Sequence, residues 1–333
     1  MGSLTHHSLL QILAARYAPY GVRPYQRNGQ AYPFAICDSA PSATLETLLS
    51  THPPTTPQSK ESFAFYDEGI VSRLQQTSAA LYDGTTFAFD CFTGNPPRLH
   101  ATLGSYFDHL NTSIALEEEL LAGGDTHWRA LCASVTPGQL LTHGAGRSAS
   151  LGMSVLTVFK QQDRYQALVV QRSGQTAHMP GALHVLPAFQ FQPTAQSDAA
   201  HDWNLTRQIK REYAEELFDL PEDTDAATSE PVRQLNAMLA SGDAELHYTG
   251  TVMNLQTTHL SVCALLLIHA ADWHTQLNVD SAWETATTYR LPVVADEDLL
   301  AAFPAHAYQR FAPSGAAAFW LGIDKFRDET RPA

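Results

Sequence analysis

Basic residues are scarce: 20 Lys and Arg stand against 34 Asp and Glu in 333 residues, a formal net charge of −14. Phosphate backbones are bound by clustered Lys and Arg, so no nucleic-acid partner is expected. Cysteine is scarce too. Cys37, Cys91, Cys132 and Cys263 lie far apart and form no CxxC pair. That spacing excludes a zinc ribbon and a disulfide framework, and it suits reduced thiols in a cytoplasmic protein. No apolar run approaches the roughly 20 residues that span a bilayer. The opening "MGSLTHHSLLQILAARYAPYG" lacks the basic flank of a secretory signal. A cytoplasmic location with no membrane partner is therefore expected. The Gly-containing stretch "THGAGRSAS" from Thr142 has no Lys-Ser/Thr pair to hold a nucleotide phosphate, and no G-x-S-x-G elbow occurs.

What is present is ordinary core material, 44% apolar residues, in a length that fits two domains. An amphipathic helix is expected over 9–18, with Leu9, Leu10, Leu13 and Tyr17 on one side. "STHPPTTPQSKES" reads as a loop, and "SFAFYDEG" and "ALYDGTTFAFDCFTG" alternate as half-buried strands do. A strand running into a helix is expected from "PRLHATLGSYFDHLNTSIALEEELLAGG". Together these give a smaller mixed α/β N-terminal domain over 1–145, of unknown role. The Gly/Ser/Thr-rich stretch 135–152 marks the boundary.

Beyond it the rhythm changes. Strands are expected in "MSVLTVFKQQDRYQALVVQRSG", "GALHVLPAFQF", "AELHYTGTVMNLQTTHLSVCALLLIHAADW" and "ATTYRLPVV". "PTAQSDAAHDWN" reads as a polar loop, and helices are expected in "LTRQIKREYAEELFDL", "DEDLLAAFP" and "GAAAFWLGIDKF". Strands first, then alternating helices and strands, predict an α/β sandwich over 150–330 rather than a doubly wound sheet.

In the central helix Leu205, Ile209, Tyr213, Leu217 and Leu220 form an apolar stripe. Glu212, Glu215 and Glu216, at i, i+3 and i+4, share the adjoining face, with Arg211 four residues before Glu215. Three like charges on one face repel one another. A hard divalent cation would relieve that repulsion, since Mg2+ takes carboxylate and phosphate oxygens. A solvated helical face rich in glutamate would carry the same residues.

Upstream, "ALVVQRSGQTAHMPG" is an apolar strand ending at Arg172, a loop, and then Pro180-Gly181. With Arg211-Glu212-x-x-Glu215-Glu216 it resembles the Nudix hydrolase family, whose box reads G-x5-E-x7-R-E-U-x-E-E-x-G-U (U aliphatic). The resemblance covers about half the chain, and its specific part is these short stretches. It implies a Nudix-like α/β/α sandwich binding Mg2+ or Mn2+ through Glu212, Glu215 and Glu216, with Arg211 orienting them. It also implies hydrolysis of a phosphoanhydride in a nucleoside-diphosphate-linked small molecule, and Asp280 or Glu284 are candidates for a further acidic ligand. Arg172 is a candidate phosphate contact. Phe189, Phe191 and Trp203 either stack on a planar ligand group or belong to the core. His178, His184 and His201 lack neighbours at zinc-ligand spacing and read as ordinary polar or core residues.

The chain departs from the box in its front half. Ala182 replaces the second glycine after the proline, and the first glutamate's place falls at Pro187 or Ala188. Between Ala188 and Arg211 lie 22 residues where the family has seven, an insert at about 188–204. Phe218 or Asp219 stands at the closing glycine. The alternative is therefore a catalytically degenerate Nudix-fold domain that binds a nucleotide-like ligand as a sensor or regulatory module. A homodimer is expected only from the frequency of symmetric pairs among soluble proteins.

Overall fold

The computed structural model describes residues 5–38, 43–77, 81–174, 179–194, 198–221, 228–279, 285–303 and 307–331. The strands, in chain order, are β1 (Tyr25–Arg27), β2 (Gln30–Tyr32), β3 (Phe34–Asp38), β4 (Thr85–Thr93), β5 (Arg98–Ser105), β6 (Leu151–Gln161), β7 (Arg164–Arg172), β8 (Leu183–Val185), β9 (Ala188–Gln190), β10 (Ala244–Asn254), β11 (Leu260–Ile268) and β12 (Thr285–Pro292). The helices are α1 (His6–Tyr17), α2 (Leu45–Leu48), α3 (Gly69–Thr77), α4 (Tyr106–His109), α5 (Ala115–Leu121), α6 (Thr126–Ser134), α7 (Ala199–Asp202), α8 (Leu205–Phe218), α9 (Glu230–Ser241), α10 (Asp296–Ala301) and α11 (Pro313–Glu329). Among the described residues, no helix is long and apolar enough to cross a membrane.

The fold is mixed α/β and divides into two compact units. One comprises Met1–Gly152, Gln190–Asn204 and Thr251–Ser261; the other comprises Met153–Phe189, Leu205–Gly250 and Val262–Ala333. The first division falls at Gly152/Met153, and two later segments also cluster with the first unit.

In the first unit β4 and β5 form an antiparallel ribbon, β1 pairs with β2, and β3 pairs antiparallel with Thr251–Asn254 at the end of β10. The expected strand "SFAFYDEG" does not form. A single helical turn, Lys60–Ser62, leads instead into irregular chain, and Phe65 packs on the cluster around Ile70, Val71 and Leu110. Its aromatic alternation serves packing under a loop, not a ladder. The expected polar loop after Pro193 contains α7, capped where the Asp198 side chain accepts from the Ala200 N–H.

In the second unit the strand order is β12-β7-β6-β11-β10, with β8 on β7 and β9 on β6. All nine residues of β11 are buried, as are the first nine of β6. Such unbroken buried runs belong to strands covered on both faces. Leu156 of β6 lies under Gly322 of α11, whereas Phe159 meets Trp273, whose indole N–H is bonded to Tyr213 of α8. Positions three apart on a strand point to opposite faces, so α8 and α11 cover opposite sides of the sheet.

The expected third strand splits into β8 and β9 because Pro187 between them has no N–H for the ladder; its carbonyl accepts from Val155 instead. Helix α9 was not anticipated. Its signals are local: Ser229 at the cap, Pro231 in the first turn and Gly242, at φ +81°, after the last.

Candidate functional site

Helix α8 is fixed by its apolar stripe. Leu205, Ile209, Tyr213 and Leu217 are buried, and Trp273 Nε1 donates to Tyr213 Oη at 2.7 Å. Burial holds that phenol above its ordinary pKa, so it stays a neutral hydroxyl that accepts the indole bond. The helix stops at Phe218, and Asp219 takes the left-handed conformation at φ +57°. This is a conformation that favours glycine, and Asp is among the few other residues that adopt it.

With the stripe held, the glutamates line its flank. Glu212 is 8% exposed and accepts from Arg211 Nη2. Arg211 Nε lies 3.7 Å from Glu215 Oε1. One guanidinium therefore stands against two of the three carboxylates and offsets their mutual repulsion. Glu216 faces elsewhere. Its Oε1 and Oε2 accept from the backbone N–H of Ala188, at 3.0 and 3.2 Å. Ala188 is one of the two positions at which the missing box glutamate falls.

Glu216 also lines a small recess with Arg172, Val170, His184, Leu186 and Ala188. Its free volume of about 10 Å³ holds about one water. Arg172 closes strand β7 and is half-buried. Its Nε has no hydrogen-bond partner, and no carboxylate pairs with it among the described residues. The turn that follows is set by Gly181 at φ +74°, whose N–H donates to Arg172 O, while Arg172 N–H donates to Ala182 O. The structure therefore brings Arg172 and Glu216 to one recess.

His184 joins them, although its sequence context marked it as ordinary. It is 6% exposed, and its Nε2 lies 3.2 Å from Ser314 Oγ at the start of α11. That partner is 130 residues away, so no local spacing signals it.

Two aromatic candidates part company. Phe189 is half-buried on β9. Trp203 is 8% exposed, sits 5.4 Å from Phe191 and 4.9 Å from Phe87 between ring centroids, and donates from Nε1 to Ser50 O. Its ring and its N–H are both engaged inside the first unit, so Trp203 and Phe191 are core residues. Asp280, Glu284 and His178 lie outside the described residues.

As to metal, the α8 carboxylates supply the all-oxygen donor set that Mg2+ or Mn2+ takes. Their ligand atoms are not gathered into one cluster, however. Among the described residues, the one group of three or more His, Cys, Asp or Glu whose ligand atoms all lie within 4.8 Å is Glu245, His247 and Glu329.

Comparison with solved structures leads to Nudix proteins. The Nudix domain of Shewanella oneidensis NrtR, solved with ADP ribose, is 14% identical over 54% of this chain and 90% of its own, with a TM-score of 0.33. A Nudix hydrolase from Alicyclobacillus acidocaldarius is 16% identical over 54% of this chain and 96% of its own, also at 0.33. RenU, a Nudix hydrolase from M. smegmatis, is 12% identical over 56% and 89%, at 0.31. No protein-family model and no curated protein matches the sequence. Superpositions this loose carry no functional weight, and the case for function rests on the chain's own residues.

Proposed function

We propose that the chain is a Nudix-type hydrolase that uses Mg2+ or Mn2+ to cleave a phosphoanhydride in a nucleoside-diphosphate-linked small molecule. The observation that supports this reading is that Arg172 and Glu216 line one recess. A cation able to grip phosphate oxygens as a planar fork shares that recess with a carboxylate able to hold a divalent ion.

In this reading Glu216 is the principal metal ligand, assisted by Glu212 and Glu215, and the ion would supply Lewis acidity toward the diphosphate. Arg172 holds a phosphate oxygen and fixes the anhydride at the mouth of the recess, which is itself too small for a diphosphate. Arg211 holds Glu212 and Glu215 in place. A carboxylate of this pair takes the proton from the attacking water, whose oxygen bonds to phosphorus as the bridging P–O bond breaks. Phe189 offers a ring for a planar group of the ligand.

A second reading, a catalytically degenerate Nudix-fold sensor of a nucleotide-like ligand, is favoured by Ala188. Where the box has a glutamate, this chain places a backbone N–H that occupies Glu216. One experiment separates the two. Mg2+ and Mn2+ are titrated against thermal stability, and a panel of nucleoside diphosphate compounds, ADP-ribose included, is assayed for cleavage by the protein and by Glu216→Gln. The hydrolase reading expects a metal-dependent shift and turnover, both lost in the variant. Ligand binding without cleavage supports the sensor, and no response to metal ends the hydrolase reading.

A further inference from the structure

Strand β10 places Glu245 and His247 at i and i+2, so both side chains leave the same face of the sheet. The neighbouring chain beyond β11 brings His269 beside them, its N–H donating to Asp243 O. The last turn of α11 adds Glu329. The ligand atoms of Glu245, His247 and Glu329 all lie within 4.8 Å of one another. All these residues lie in the second unit, and none belongs to the α8 site.

A carboxylate only accepts, so His269 Nε2, 2.9 Å from Glu245 Oε1, carries the hydrogen of that bond. On the other side of the ring His269 Nδ1 lies 2.7 Å from Tyr165 Oη. The chain of bonds Tyr165–His269–Glu245 holds Glu245 in one orientation. His247 Nε2 lies 2.8 Å from Glu245 Oε2, on the other side of the same carboxylate. A carboxylate oriented from outside by an imidazole N–H, with a second imidazole and a second carboxylate in front of it, is the arrangement by which proteins preset a metal ligand.

We infer that Glu245, His247 and Glu329 form a second cation site, distinct from α8, that takes a transition-metal ion of the Zn2+ class. Mixed imidazole and carboxylate donors suit Zn2+, whereas Mg2+ takes oxygen alone. Binding moves the His247 ring proton to Nδ1, which frees Nε2, and replaces the His247–Glu245 hydrogen bond by two bonds to the ion. His269 is a positioning residue that stays bonded to Glu245 throughout. The competitor for the ion is Lys325, which pairs with Glu329 one helical turn away.

The test uses the full-length chain without a histidine tag. Zn2+ is titrated against a chromogenic chelator, and bound metal is counted by mass spectrometry after dialysis. One Zn2+ per chain is expected, with affinity weakened about tenfold or more by His247→Ala or Glu329→Gln. Glu329 is exposed, so Glu329→Gln keeps the fold, and unchanged thermal melting in apo protein checks this for both variants. Lys325→Met should tighten binding, which loss of a merely structural contact does not do. Glu216→Gln should leave the stoichiometry unchanged. Absence of bound Zn2+, or wild-type affinity in both Glu329→Gln and His247→Ala, overturns the site. Loss of zinc in Glu216→Gln assigns the ion to α8 instead.

Discussion

Glu216 and Glu117 show how the surroundings of a single carboxylate decide what it does. Glu216 accepts two bonds from one backbone N–H and lines the same recess as Arg172. Glu216→Gln keeps an acceptor for Ala188 but loses the charge that would hold a cation. Its expected signature is a fall in turnover of about a hundredfold or more, with folding stability changed by less than about 1 kcal/mol. Full activity in the variant, measured at saturating Mg2+, would remove Glu216 from the site.

Glu117 sits in the first unit, bonded by Gln256 Nε2 at 2.9 Å, and burial raises its pKa to about 7, with Glu118 adding to the rise. Between its ordinary value of 4.5 and about 7, the folded chain keeps a proton that the unfolded chain has released. Stability from this group therefore falls as pH rises through that window and is flat above it. The cost at pH 8 relative to pH 5 is about 2–3 kcal/mol. Glu117→Gln keeps an oxygen for Gln256 and removes the titration. Urea unfolding at pH 5 and pH 8 should show a smaller loss in the variant, and an unchanged loss would refute the assignment.

At the scale of elements, legibility followed locality. The stripe of α8, the β6–β7 hairpin, β11 and α11 are written in periodicity and turn residues a few positions apart, and the sequence predicted each. The failures were those of distant partners. "SFAFYDEG" alternates like a strand but finds a hydrophobic cluster instead of a ladder. Trp203 has the surroundings of a binding residue until Phe87, more than a hundred positions earlier, packs on it. The approach of Arg172, Glu216 and His184 is likewise long-range, and only Arg172 and Glu216 carried a motif signal.

The packing of α11 on β6 rests on one such distant contact. A Cβ added at Gly322 would meet Leu156 Cδ2 at 2.8 Å and its Cβ at 3.0 Å. Overpacking costs about 1–3 kcal/mol, and alanine in a helix returns about 1 kcal/mol over glycine. Gly322→Ala should therefore lower stability by about 1 kcal/mol net. In a Leu156→Ala background the Cδ2 contact is gone and only the 3.0 Å contact with the Cβ remains, so the same substitution should cost less. Denaturation of the four-protein cycle reads this reduction. If Gly322→Ala is equally harmful in both backgrounds, the close approach is not its cause.

For the whole molecule, the decisive feature is that the chain passes between the units repeatedly, after Gly152, Phe189, Asn204, Gly250 and Ser261. Strands β6, β9, β10 and β11 carry four of these passages within their own length. Composition along the sequence does not register such passages, because a change of rhythm marks a linker and a continuous strand has none. A piece starting at residue 150 would retain Phe191 and Trp203 but lose Phe87 and the Ser50 carbonyl that bonds the indole. It would also retain Thr251–Asn254 without β3, leaving a row of strand N–H and C=O groups unpaired. Exposed aromatic area of this kind, at about 25 cal/mol per Å², costs several kcal/mol, comparable to the whole stability of a domain. The piece 150–333 should therefore bind a hydrophobic dye and melt without a cooperative transition, whereas the full chain melts cooperatively. A sharp calorimetric transition for the isolated piece would show instead that the second unit folds alone, with 190–204 and 251–261 carried as dispensable segments.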